Sequence, residues 1–346
     1  MKQKVLGLGL ALLMLAGCAK TGPGVSPTAE VPETPPVVES TSPTPAPPSE
    51  RQTVNFAALK GPSGVGAAKL IADSEAETTA NHYVVTLAGD NSEVVAGLSN
   101  GSIDIAAMAS NVAANLYQKT GGGVQVVAVS GLGVLYLLEN GTSVQSMADL
   151  KGQTLYATGQ GANPEFVLNY LLRENGVEPE EVDLQWRTAD EITALMASGE
   201  AKLCMLPVPA ATGVLMKNPD VREALDLSAE WDDLKNGSRL TMTTLVVRTE
   251  FAQEHPQAVA DFLEDYRASV NYVNGNPAEA AELVAEYGIT PNAKIAEAAI
   301  PKCALVCITG VNDIQGAVQG YYEVLWEADP QSIGGGMPDD GFYWAG

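Results

Sequence analysis

Apolar and polar positions in this chain follow two alternating rhythms. Short apolar runs end in glycine-rich turns, and each turn opens a stretch with apolar residues at helical spacing. The pattern predicts strands over 54–59, 83–87, 103–108, 124–129 and 134–138. Helices are expected over 67–76, from Asp90 to about Ser99, and over 112–117. A second series follows, with a strand over 154–157, a helix over 165–175 and a strand over 202–206. Its helix carries Phe166, Leu168, Leu171 and Leu172 on one face. Pro207-Val208-Pro209 cuts the last strand off, because proline has no N–H for the ladder. A strand over 241–248 is expected to cross back, and helices come after it. One starts at His255-Pro256, with Val259, Phe262, Leu263, Tyr266, Val270 and Val273 at helical spacing. The next is capped by Asn276-Pro277 and ends at Tyr287-Gly288. These helices have no strands of their own and are expected to pack on the first half.

The two series are copies at a constant offset of 98 residues. Segment 55–61 lines up with 153–159, 61–66 with 159–164, and 93–108 with 191–206. Asp90 with Glu93, and Thr188 with Glu191, form capping boxes at the same offset. Open α/β sheets bind ligands at the carboxyl ends of their strands, so two such halves place a ligand in the cleft between them. Both copies put a glycine turn at that position: Gly61-Pro62-Ser63-Gly64-Val65-Gly66 and Thr158-Gly159-Gln160-Gly161-Ala162-Asn163. Missing Cβ atoms let a ligand approach the backbone. Free N–H groups at the following helix favour an anion or a hydroxyl-rich group. The candidate ligand-binding residues are therefore Pro62, Ser63, Gly64 and Val65 in the first turn, and Gln160, Gly161 and Asn163 in the second. Asn111 and Pro207 are expected at matching strand ends, Gly131 in a glycine turn after the fourth strand, and Thr243 on the hinge floor. Plain structural alternatives stay open for these: tight turns without a ligand, an Asn N-cap, or strand packing by β-branched residues.

Charge narrows the partners. The chain holds 42 acidic and 19 basic residues, a formal net charge of −23. Phosphate contacts need a basic surface, so nucleic acid is excluded as a partner; the acidity reads as solubility. Cys204 lies in an apolar run and reads as a buried thiol. Cys303 and Cys307 are four apart, a spacing that permits a disulfide only in irregular backbone. The only histidines are His82 and His255, which gives no support to a His/Cys zinc site. No P-loop and no G-x-G-x-x-G is present, and GPSGV is one residue short of a nucleophile elbow. Neither a cofactor nor a catalytic residue is expected.

The first fifty residues address the protein. Lys2 and Lys4 precede an apolar run over 5–15, too short to span ~30 Å of hydrocarbon. Leu15-Ala16-Gly17-Cys18 resembles the bacterial lipobox. That resemblance implies a signal peptide over 1–18, with Cys18 as the acylated first mature residue. The protein would then be extracytoplasmic and lipid-anchored to the bacterial cell membrane. In residues 19–50, nine of 32 are Pro and nine are Ser or Thr, which reads as a disordered tether. Fully extended at ~3.1 Å per residue, it would reach on the order of 100 Å. The rest of the chain suffices for two compact lobes.

Four blocks carry a closer resemblance: LSNGSIDIAA over 98–107, DLKGQTL over 149–155, residues 197–206, and LVVRTEFAQEHPQAVADF over 245–262. Together with the lipobox and stalk, they resemble the substrate-binding lipoprotein of a bacterial ABC importer. The resemblance is to the nitrate/sulfonate/taurine/thiamine-precursor branch of the type II periplasmic-binding-protein superfamily. It implies an α/β, two-lobed fold with two open sheets flanked by helices and joined by two crossover strands. Mapped onto this chain, lobe 1 is 51–138 plus 245–346, and lobe 2 is 139–244. It further implies a monomer that traps a small-molecule ligand by hinge closure and delivers it to an ABC permease and its ATPase. The glycine turns lack Arg and Lys apart from Lys60, which points to a neutral or singly charged polar solute. Two other readings are a surface enzyme like the pyrimidine synthases, whose Cys-rich motif is missing here, and a sensor or adhesion module.

Overall fold

The computed structural model describes residues 51–346. The signal peptide with Cys18 and the tether lie outside the described residues. The first half runs β1 (Thr53–Leu59), α1 (Pro62–Glu75), β2 (His82–Ala88), α2 (Asn91–Asn100), β3 (Ile105–Ala109), α3 (Ser110–Thr120) and β4 (Val124–Leu132). The second half runs β5 (Leu135–Glu139), β6 (Thr154–Ala157), α4 (Asn163–Glu174), β7 (Asp183–Trp186), α5 (Ala189–Ser198) and β8 (Leu203–Pro207). It closes with α6 (Ala210–Lys217), β9 (Arg222–Asp226) and α7 (Leu227–Asp233). The return consists of β10 (Thr241–Arg248), α8 (Thr249–Glu254), α9 (Pro256–Gly275), α10 (Pro277–Glu286), α11 (Ala293–Ala299), β11 (Leu305–Ile308) and α12 (Val311–Ala328).

The strands form two open sheets, ordered β11-β4-β10-β3-β1-β2 and β7-β6-β8-β5-β9. Read from the antiparallel member outward, β10-β3-β1-β2 and β5-β8-β6-β7 have the same arrangement. That member comes from the opposite half in each case. β5 arrives directly from β4 and joins the second sheet, while β10 arrives after β9 and joins the first. The lobes are thus stitched by two exchanged strands. The boundaries differ from those read in the sequence. Residues 135–138, expected in lobe 1, pair with β8 and β9. Residues 241–244, expected in lobe 2, pair with β3 and β4. Gly133 sets the first crossing: a Cβ there would collide with Ser228 Oγ and stand 3.0 Å from Leu240 Cδ2. The chain changes sheets where it packs against Leu240, just before the other crossing strand.

The 98-residue repeat is accurate in three dimensions. β1 and β6 end at Leu59 and Ala157, β2 and β7 at Ala88 and Trp186, and β3 and β8 at Ala109 and Pro207. Each pair is 98 residues apart. Asp90 and Thr188 cap α2 and α5 with their side chains, and Gly101 and Gly199 end those helices at φ 77° and 78°. Glycine adopts that left-handed conformation at no steric cost. The matching strand ends are Ala109 and Pro207, so Asn111 lies two residues past the position expected for it.

After β10 the chain returns to the first lobe. α9 packs its apolar face on α1, with Phe262 5.0 Å from Phe56 and Tyr266 6.2 Å from the same ring. The helices do have one strand of their own, β11, which adds to the edge of β4. Beyond α12 a strap of single turns crosses α3. Ser332 O accepts from the Asn111 and Asn115 amides at 3.1 and 2.6 Å. Trp344 N–H donates to Val126 O at 3.0 Å, so the strap also reaches β4. Cys303 and Cys307 are free thiols, as is buried Cys204. Burial pushes the Cys204 and Cys303 thiols up to about 12. Among the described residues, no helix is long and apolar enough to cross a membrane.

Candidate functional site: the cleft between facing strand ends

Parallel strands β1, β2 and β3 in one sheet, and β6, β7 and β8 in the other, point their carboxyl ends at a common interface. Contacts across that interface prove the orientation. Ser110, one residue past β3, accepts from Asn163 Nδ2 at 3.0 Å. Lys302, just before β11, reaches Glu223 of β9 at 2.6 Å. The strand ends that face this interface are therefore those of β1, β2 and β3 on one lobe and β6, β7 and β8 on the other, each pair related by the repeat.

The first glycine turn is not a loop. α1 begins at Pro62, four residues before the end of GPSGVG, and only Gly61 (φ 149°) lies outside it. Proline at the first helical position costs nothing and presets φ, which explains the early start. Val65 N–H donates to Gly61 O at 3.0 Å. The Ser63 and Gly64 amides precede it and have no intrahelical acceptor. Gly64 and Gly66 serve packing, which corrects the view that their missing Cβ atoms admit a ligand. A Cβ on Gly64 would stand 3.0 Å from Leu59 O and 3.3 Å from Ile289 Cγ2; one on Gly66 would stand 3.0 Å from the Tyr266 hydroxyl. Val65 belongs to the core of the first lobe. Ser63 is buried and Pro62 half-buried, so Gly61, Pro62 and the Ser63 amide are the parts of the turn nearest the cleft.

The second turn keeps its loop. Gly159 and Gly161 hold φ 89° and 74°, and Gln160 and Gly161 are exposed. The Gly161 N–H is already used: Glu165 Oε2 accepts it at 2.6 Å. A carboxylate thus occupies the amino end of α4, where the helix dipole would otherwise favour a bound anion. Lys60 and Arg187, both exposed, directly follow β1 and β7. The two lobes offer unlike surfaces, with free amides beside Lys60 on one and a self-capped turn on the other.

Asn163 and Asn111 do other work than expected. Asn163 is fully buried and spans the lobes. Its Nδ2 donates to Ser110 Oγ (3.0 Å) and Met242 O (2.6 Å), and its Oδ1 accepts from the Tyr321 hydroxyl (2.9 Å). Both donors of the amide are used and the side chain is sealed from solvent in this arrangement. Asn111 neither caps α3 nor offers its amide nitrogen to the cleft. It lies inside the first turn, donates to Ser332, and keeps a buried Oδ1 without a protein partner. Gly131 and Thr243 are brought together in register on β4 and β10, and a Cβ on Gly131 would collide with Thr243 Oγ1. Thr243 is half-buried and Thr244 sealed. Pro207 is half-buried at the end of β8, opposite Leu135.

The sequence reading missed the aromatic and charged groups that join the lobes. Tyr170, Trp231, Tyr321 and Tyr322 form a ladder with successive ring centroids 5.0, 5.5 and 6.2 Å apart. It runs from α4 through α7 to α12. Lys302 also sits 5.1 Å from the centre of the Tyr136 ring. Burial, together with nearby Asp226 and Glu223, pushes the Tyr136 hydroxyl up to about 12. The Tyr-Tyr pair at helical spacing from Leu325 was a usable signal for a buried helix; nothing in the sequence marked Lys302. His82 opens β2 at the amino end, away from the cleft. Among the described residues no cluster of His, Cys, Asp and Glu could hold a metal ion. Two surface cavities, each about 400 Å³, lie on the outside of the first lobe, around Arg248 and along β2, away from the cleft.

The family model described as NMT1/THI5 like matches residues 84–280, more than half of the chain. No curated protein matches by sequence. Among solved structures, an ABC transporter protein from Parabacteroides distasonis superposes with a TM-score of 0.70 at 24% identity, covering 84% of this chain and 98% of its own. The alkanesulfonate-binding protein SsuA from Xanthomonas axonopodis pv. citri, bound to MOPS, gives 0.68 at 14% identity, covering 86% and 100%. The periplasmic aliphatic sulphonate binding protein SsuA from Escherichia coli gives 0.65 at 16% identity, covering 82% and 96%. Two exchanged strands, a repeated α/β half and facing strand ends agree with the matched family: the chain belongs to the NMT1/THI5-like family and has the two-lobed type II periplasmic-binding-protein fold.

Proposed function

We propose that the protein is the extracytoplasmic solute-binding component of an ABC importer. It traps a small polar or anionic organic solute between its lobes and hands it to a membrane permease driven by an ATPase. The observation that carries this reading is that the parallel strands of the two sheets point their carboxyl ends at one interface, where Ser110 after β3 meets Asn163 after β6. Two structural neighbours named for sulfonate binding support the same use of the fold. On this reading Pro62, Ser63, Gly131, Gln160, Gly161, Pro207 and Thr243 bound the ligand, and the protein works as a monomer held at the membrane by acylated Cys18. Ligand charge follows from the unlike turns. The α1 amides and Lys60 favour an acceptor-rich group. Glu165 at the second turn disfavours a second negative charge, so a neutral or singly charged solute fits best.

Native mass spectrometry of the purified protein, followed by unfolding and refolding to strip retained solute, tests the proposal. A metabolite library applied to the stripped protein should contain a compound that raises the melting temperature. A ligand at a hundred times its Kd contributes about 2.7 kcal/mol. The absence both of a retained mass and of any stabilising compound would overturn it.

A further inference from the structure

The lobes touch on both faces of the sheets, and the two contacts differ in kind. On one face Asn163 is sealed from solvent with its amide bonded to Ser110, Met242 and Tyr321. The Trp231 ladder continues that contact. On the other face the polar link is the Lys302–Glu223 pair, whose side chains are 42% and 34% exposed. Beside it α6 lies against α11, where a Cβ on Gly213 would stand 3.7 Å from Ile295 Cδ1. We propose that the lobes part on this second face, by separation of Lys302 from Glu223 and Tyr136, while the Asn163 contact stays made and serves as the pivot. The inference rests on the two-lobed capture reading and specifies how that capture moves.

The physical case is the difference in the polar groups that separation strips of partners, since both faces also bury apolar side chains, among them Tyr136, Val214 and Ile295 on the second. Breaking the Asn163 contact strips partners from an amide and two hydroxyls that are all buried, and it unstacks a fully buried tryptophan. Buried polar groups are costly to leave unmatched. Lys302 and Glu223 already meet water, which replaces each partner as the other leaves. The ion pair is also well placed to register hinge motion. Ala304, two residues on, accepts from Leu132 N–H at 3.1 Å, at the end of β4 just before the chain crosses to β5. An exposed pair responds to salt, whereas a buried neutral one does not.

Pulsed dipolar spectroscopy on the full ligand-free chain tests this. Spin labels go on Ser92→Cys in α2 and Asp190→Cys in α5, both exposed and one on each lobe, with Cys307→Ser as background. Raising sodium chloride from 20 to 500 mM should cut the short-distance population about threefold, the scale of an exposed ion pair. Lys302→Glu should produce the same loss at low salt, and adding Glu223→Lys should restore it. Gly213→Leu should widen the distance at every salt concentration by wedging α6 from α11. Asn163→Ala should lower the melting temperature without a salt-dependent change in distance. The proposal is overturned if charge reversal and salt leave the distance unchanged, or if Asn163→Ala opens the lobes while Lys302→Glu does not. Because no solute is present, these outcomes stand apart from any failure to find a ligand.

Discussion

Gly131 and Thr243 show how a residue singled out for chemistry can be fixed by packing. The Thr243 side chain lies over Gly131, filling the space that a Cβ would need. Gly131→Ala should therefore lose about 1–3 kcal/mol of stability through overpacking. Adding Thr243→Ala should return most of it, since the colliding atom is then gone. Urea denaturation midpoints for the two single variants and the double variant check this, and a purely additive cycle would refute it. Asn163 shows the converse. Its position beside a glycine turn suggested a ligand donor, but the first lobe supplies enough partners to satisfy both ends of its amide. A sequence shows that a polar side chain is near a cleft; it does not show which neighbour reaches it first.

At the scale of elements, local chemistry carried far. The capping boxes at Asp90 and Thr188, the glycine stops at Gly101 and Gly199, and the proline cut after β8 all fall where their spacing placed them. Those signals depend on contacts only a few residues apart, which makes them legible. The start of α1 was misread because glycine in GPSGVG suggested a loop. The glycines are there for Ile289 and Tyr266, at least 200 residues away. β11 and α12 went unread for the same reason, since their partners lie on β4, α3 and α4. One element end also depends on ionisation. Glu139 ends β5 and is almost fully buried. Burial raises its pKa, but hydrogen bonds from Ser143, Val144 and Arg222 together outweigh that and hold the carboxyl below the usual range. A depressed folded pKa adds stability above the ordinary carboxyl pKa of about 4.3 and loses it as pH falls through the lower folded value. Glu139→Gln should thus be less stable than the parent at pH 7, with the difference shrinking below about pH 4. Chemical denaturation of both proteins from pH 7 to 3 reads this out, and a gap independent of pH would refute it.

For the molecule as a whole, the aromatic ladder joins what the two exchanged strands only connect. Trp231 sits at its centre, fully buried between Tyr170 of one lobe and Tyr321 of the other. Trp231→Ala should cost about 3–5 kcal/mol. If the ladder couples the lobes, its loss should split one melting transition into two. Calorimetry separates this case from a purely local cavity, which would leave the lobes' melting behaviour unsplit and the loss small.

The strap across α3 also dictates an order of events during synthesis. The second sheet draws all its strands from residues 135–226, an unbroken stretch. The first sheet needs β10 and β11, and its β4 is bonded by Trp344, which follows Val126 by some two hundred residues. Tyr117, Tyr322 and Phe342 stack only once that final stretch exists. The lobe encoded second can therefore close first. The lobe encoded first stays incomplete, with β1 to β4 already made, until β10, β11 and the strap through Trp344 have followed.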